Sequence, residues 1–158
     1  MSDKIKTKIS LLVASLNRQL EKEVEEKLRH MNLPIEQVRV LDALTGSADK
    51  TGMTMSELAQ YAVVDASTFT KVIDRMVSDN LVYRAADSND RRKIRILLTG
   101  RGAAVFSELR PLIDKQEVEL RQIISEVSGD DALTDLVVAV LEQLGDRPQI
   151  SGSSGSRG

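Results

Sequence analysis

The segment DSNDRRKIR, residues 87–95, crowds four cations, Arg91, Arg92, Lys93 and Arg95, into five positions. Guanidinium and ammonium groups at that spacing do one kind of chemistry well: they hold a polyanion through charge-assisted hydrogen bonds. A solvated surface face is the competing explanation, and the distribution of charge separates the two. Between residues 66 and 102, eight Lys or Arg (71, 75, 84, 91, 92, 93, 95, 101) stand against four Asp (74, 79, 87, 90), a local balance of +4. The net charge is -2, so the remainder of the chain carries -6. Hydration alone does not require such segregation. A nucleic-acid partner does, because phosphates attract the patch while the acidic remainder keeps other surfaces off the polyanion.

Other chemistries find little material. Cysteine is absent and His30 is the single histidine, which removes disulfides, thiolate zinc sites, thiol switches and histidine clusters. No phosphate-cradling glycine loop or nucleophile elbow occurs. The carboxylate pairs Glu25–Glu26 and Asp130–Asp131 sit in helical or helix-starting contexts, where solvated faces and caps are the ordinary use. Neither an enzyme nor a cofactor is expected. Hydrophobic residues make up 41% of the 158, with no run of membrane-spanning length, and MSDKIKTKIS has no apolar signal core. The expectation is a cytoplasmic protein with no membrane partner.

Elements must place that charge. Apolar residues at Ile5, Ile9, Leu12, Leu16, Leu20, Val24 and Leu28 predict a long amphipathic helix over 5–29, broken by Asn32, Leu33 and Pro34. A shorter helix carries Ile35, Val38, Leu41 and Leu44 and ends in the loop GSADKTG. Thr54 and Glu57 fit a capping box, followed by Leu58, Ala59 and Ala62. Asp65 is placed to cap the next helix, with Phe69, Val72, Ile73, Met76 and Val77 on one side and Ser67, Thr68, Thr70, Lys71 and Arg75 on the other. Two short helices around a brief turn, the second with a hydrogen-bonding outer face, describe a helix-turn-helix.

Leu81–Ala85 reads as a strand, Asp87–Asp90 as turn chemistry, and Lys93–Leu98 as a returning strand with Ile94, Ile96 and Leu98 on one face. A hairpin directly behind a helix-turn-helix is a wing. Thr99 can cap a helix from about Arg101 to Val127, with Val105, Leu109, Leu112, Ile113, Leu120, Ile123 and Ile124 inward and Pro111 predicting a kink or break. A last amphipathic helix holds Leu133, Leu136, Val137, Val140, Leu141 and Leu144. The Gly/Ser-rich tail, with SGSSGSRG, reads as flexible and vector-derived.

The fold class expected is mostly α with a small β-wing: a winged helix-turn-helix over 34–102, flanked by helical regions 1–33 and 103–146, with 147–158 as tail. The partner expected is double-stranded DNA. Ser67, Thr68, Thr70, Lys71 and Arg75 would meet base edges and phosphates in the major groove. The wing tip would offer Arg91 and Arg92, with Lys93 beside them, to a narrow minor groove. Asp90 either orients one of those guanidiniums by a bidentate contact or is a plain turn residue. A winged-helix adaptor that binds protein is the alternative; such a wing would show apolar anchors, where this tip has Ser, Asn, Asp and Arg.

Over residues 5–145 the order of elements resembles the MarR family of winged-helix transcriptional regulators. The resemblance is carried by SELAQYAVVDASTFTKVIDRMVSDNLVYR and by DSNDRRKIRILLTGRG. In the latter, Asp90-Arg91-Arg92 matches an Asp-x-Arg signature and Leu98–Gly102 is similar to a Leu-Thr-x-x-Gly helix entry. The resemblance implies a homodimer with intertwined terminal helices, its interface on Ile5, Ile9, Leu12, Leu133, Leu136, Val137, Val140 and Leu141. It also implies a pseudopalindromic operator read by two recognition helices about 34 Å apart, repression as the expected mode, and release by a small anionic or phenolic effector near His30 and Arg39. One position departs from the family: many relatives carry Gly in the motif's turn where this chain has Val63. A β-branched residue resists positive φ, so another turn geometry is expected there.

Overall fold

The computed structural model describes residues 8–47, 51–128 and 132–145. The chain forms two compact units, residues 1–35 and 36–158. The first holds α1 (Ile9–Leu28) and a 3-10 turn (Arg29–Met31), closed by Asn32 in the left-handed region at φ 51°. Asn tolerates that conformation because its short polar side chain bonds locally. On α1, Val24 and Leu28 are buried, whereas Ile9, Leu11, Leu12, Val13 and Leu16 are exposed. Ile5 lies outside the described residues.

The second unit carries α2 (Ile35–Gly46), β1 (Met53–Thr54), α3 (Met55–Ala62), α4 (Ala66–Ser78), β2 (Val82–Ala86), β3 (Ile94–Leu98), α5 (Gly100–Ser128) and α6 (Ala132–Gln143). Its buried side chains are mostly apolar. Val38, Val40, Leu41 and Leu44 from α2 join Leu58 and Ala62 from α3, Phe69, Val72, Ile73 and Met76 from α4, and Val82, Ile96, Phe106 and Leu109. The fold class expected from the sequence is the one observed.

Both predicted caps form. Thr54 Oγ1 accepts the Glu57 amide at 3.3 Å while the Glu57 carboxylate accepts the Thr54 amide at 2.7 Å. Asp65 Oδ1 accepts the Thr68 amide at 3.0 Å and starts α4. Between them, the expectation for Val63 is overturned: it sits in the left-handed region at φ 57°, ψ 47°. The motif needs that bend whatever residue occupies it. The Val63 and Val64 amides donate to Gln60 and Ala59 carbonyls at 3.2 and 3.1 Å, and the side chain, 76% exposed, meets no wall. These bonds offset a conformational cost of about 1–2 kcal/mol.

The sheet is antiparallel in the order β1-β3-β2, with Val82 opposite Leu98 and Ala86 opposite Ile94. Strand β1 is an addition to the hairpin read from the sequence; its Met53 and Thr54 face Ile96 and Arg95. Gly52, at φ +76°, makes that pairing possible, since a Cβ there would lie 2.3 Å from the Ile96 carbonyl oxygen. Ile94, expected inward, is half exposed because the hairpin projects past the core. At the other end, Thr99 Oγ1 accepts the Gly102 amide at 2.9 Å and caps α5. Gly102 is pressed against the approach to β2, where a Cβ would lie 2.0 Å from the Leu81 carbonyl oxygen.

Helix α5 runs unbroken through Pro111, so the predicted break does not occur. Proline removes a single amide donor, and the flanking turns of a 29-residue helix keep theirs. Phe106 is buried in α5, whereas Ile123, expected inward, is exposed. Nothing on α6 is buried. No helix among the described residues is long and apolar enough to cross a membrane.

Candidate nucleic-acid interface

Helix α4 presents Ser67, Thr68, Thr70, Lys71 and Arg75 to solvent, as its periodicity requires once Phe69, Val72, Ile73 and Met76 are buried. The hydroxyls at its start are already engaged. Ser67 Oγ donates to Asp65 Oδ1 at 2.5 Å and Thr70 Oγ1 donates to the Ala66 carbonyl at 3.3 Å. Each oxygen therefore keeps acceptor capacity for an incoming amine. The Ser67 hydroxyl and the Thr68 amide together hold the Asp65 carboxyl down at about 2.

The wing is built around Asp87. Its Oδ1 accepts the Asn89 and Asp90 amides at 2.7 and 3.1 Å, an Asx turn, and its Oδ2 accepts Arg95 Nε. Arg95, foremost, and those two amides hold the carboxyl at about 2. Lys93 donates its amide to the Asp90 carbonyl at 2.9 Å and closes the tip. Asp90 itself accepts the backbone amide of Arg92 at 3.1 Å. Of its two readings, the turn residue describes that contact. Within the turn of the wing, Asp87 is a carboxylate that grips a guanidinium, and the guanidinium is that of Arg95. In sequence Asp87 shows turn chemistry alone; eight residues separate it from Arg95, and only the register of the hairpin brings them together.

Ion pairs sort the local cations. Arg84 Nη2 meets Asp74 Oδ1 at 2.6 Å, Arg75 Nε lies 3.9 Å from Asp79 Oδ2, and Arg95 is held by Asp87. Among the described residues, Lys71, Arg91, Arg92 and Lys93 enter no ion pair and are exposed. The pairs cancel within the patch, so its +4 excess rests on unpaired groups of α4, the wing tip and the start of α5. That is the disposition a polyanion needs.

The residues named for an effector have other surroundings. His30 is exposed on the 3-10 turn. Arg39 Nη1 donates to the Ala62 carbonyl at 3.4 Å, bracing the end of α3 from α2. A second brace carries no signal in the sequence: Tyr61 donates its hydroxyl to Asp42 Oδ2 at 3.0 Å. Burial, then the Asp42 charge, pushes the Tyr61 phenol up to about 12. An open cleft of about 530 Å³ lies between α3 and α4, lined in part by Met55, Ala59, Val64 and Phe69; neither His30 nor Arg39 lines it.

Comparison with known proteins agrees with this geometry. A family model described as MarR family matches residues 31–93. The transcriptional activatory protein BadR of Rhodopseudomonas palustris is 31% identical over 104 residues, covering 66% of this chain and 56% of that protein. The chain thus spans little more than half the length of that relative. The homoprotocatechuate degradative operon repressor of Escherichia coli is 33% identical over 102 residues, covering 65% and 64% of the two chains. The fold also matches the crystal structure of the S. aureus MepR–DNA complex with a TM-score of 0.70 at 20% identity, covering 89% of this chain and 98% of that one. Capped helix-turn-helix, three-stranded wing and the Asp90-Arg91-Arg92 tip thus occur, in that order, in a chain that is similar over residues 31–93 to the MarR family of transcriptional regulators.

Proposed function

We propose that this chain is a sequence-specific double-stranded DNA-binding regulator, a repressor, acting as a homodimer on a pseudopalindromic operator. The observation that carries the reading is the set of exposed, unpaired cations on α4 and the wing tip, Lys71, Arg91, Arg92 and Lys93. Lys71 and the acceptor oxygens of Ser67 and Thr70 suit a major groove, and Arg91 and Arg92 suit a narrow minor groove. The MepR–DNA complex, a protein of the same fold bound to DNA, supports the assignment. The apolar faces of α1 (Ile9, Leu12) and α6 (Leu133, Leu136, Val137, Val140), exposed in a single chain, support a dimer. Ile5 and the half-buried Leu141 extend those stripes in sequence. Release by a small anionic or phenolic ligand is part of the proposal, supported by a relative named for an operon that degrades homoprotocatechuate, itself a phenolic acid.

Footprinting on the promoter beside its own gene, with and without aromatic acids, tests operator, symmetry and effector together. Arg92→Ala should weaken operator binding by about 1–3 kcal/mol and lower the salt dependence of affinity. A protected duplex whose affinity and salt slope ignore that substitution would remove the wing from the interface.

A further inference from the structure

The four cations of the wing are not equivalent. Arg91, Arg92 and Lys93 are exposed, whereas Arg95 is partly buried and engaged at its fork. Its Nε donates to Asp87 Oδ2, and its Nη1 donates to the Gly52 carbonyl at 2.8 Å. Both acceptors are fixed. Asp87 is 6% exposed, and its other oxygen holds the amides of Asn89 and Asp90. Gly52 lies so close to β3 that no side chain fits there. One guanidinium therefore joins three segments: the approach to β1, the strand β3 and the turn that leads to Arg91 and Arg92.

We propose that Arg95 is a positioning residue for DNA recognition: by bridging the Asp87 carboxylate and the Gly52 carbonyl, it sets the direction in which the wing tip presents Arg91 and Arg92. The proposal rests on the DNA-binding reading above. Residues 87–93 lie between the two ladder strands, and a loop of that kind must be ordered when it enters a groove. Ordering it beforehand removes that cost from binding. The planar fork is essential, because an ammonium group cannot reproduce two directed donors with the same geometry.

Two substitutions in the full chain separate position from charge. Arg95→Lys keeps the cation and loses the fork. Asp87→Asn removes a negative charge beside the wing, which by Coulomb attraction alone would tighten binding to a polyanion. On a duplex selected from random-sequence DNA with the wild-type protein, each should lose roughly 5- to 30-fold in affinity. In the free proteins, ¹⁵N relaxation should show the amides of residues 88–93 gaining fast motion. Wild-type affinity in Arg95→Lys, or tighter binding in Asp87→Asn, overturns the proposal. If Asp87→Asn does not fold, Arg95→Lys decides by itself. A wild-type chain that selects no duplex defeats the DNA-binding reading instead, and the relaxation measurement then decides whether Arg95 orders the wing: an unchanged tip in Arg95→Lys overturns it.

Discussion

Helices α4 and α6 are nearly matched in length, 13 and 12 residues, and each carries apolar side chains at helical spacing, yet they meet opposite fates. Helix α4 packs against α3 and β2 and buries Phe69, Val72, Ile73 and Met76. Helix α6 leaves Leu133, Leu136, Val137 and Val140 between 37% and 60% exposed. Periodicity demands that a stripe be covered; it does not say by what. For α4 the cover is its own domain, which leaves the opposite face free to meet a ligand. For α6 the cover, in the dimer proposed above, is a second copy.

That contrast can be broken by substitution. Phe69→Ala removes a ring that is buried beneath α4 and should cost about 3–5 kcal/mol in urea unfolding. Leu136→Asp should leave helical content intact and shift sedimentation from dimer to monomer. A Leu136→Asp protein that still sediments as a dimer would move the interface away from α6.

Titration sharpens the contrast, because the shifted groups lie in the winged-helix segment. Asp65 and Asp87 fall from 3.8 to about 2, and Glu57 is also lowered, foremost by the Thr54 amide. A depressed carboxyl stabilises the fold above its unfolded value, so that contribution should be lost as pH falls from about 4 through about 2. The Tyr61 phenol is raised from 10.0 to about 12. Its contribution is complete below pH 10 and should disappear as pH rises through about 12. Thermal melts followed by circular dichroism across both limbs check the two signs; a flat acid limb would mean the caps and the wing carboxylate contribute nothing. The smallest effect belongs to the turn. Val63→Gly should relieve left-handed strain and, after the extra entropy of the unfolded glycine, raise stability by up to about 1 kcal/mol in chemical denaturation.

Much of the fold was legible because its signals are short-range. The Thr54–Glu57 box, the Asp65 cap, the Thr99 cap and the apolar stripe of α4 each span a few residues, and each appears where the spacing put it. Val63 misled for an instructive reason: intrinsic preference opposes positive φ, but the packing of α3 and α4 demands it, and the demand is stronger. Strand β1 escaped notice because two residues carry no periodicity. In the site, the exposed face of α4 and the cationic tip were readable. The division of the cations into paired and unpaired groups was not, since the sequence lists charges without their partners.

The sequence by itself determined where the capped helices α3, α4 and α5 start, which side of α4 is apolar, and that positive charge collects between residues 66 and 102. These follow from interactions within one or two turns of chain. Tertiary structure alone decided that Arg95 turns away from the tip to meet a carbonyl 43 positions earlier, and that Arg39 braces a helix 23 positions on. A hydrogen bond between distant residues depends on sheet register and helix packing, which no local spacing encodes.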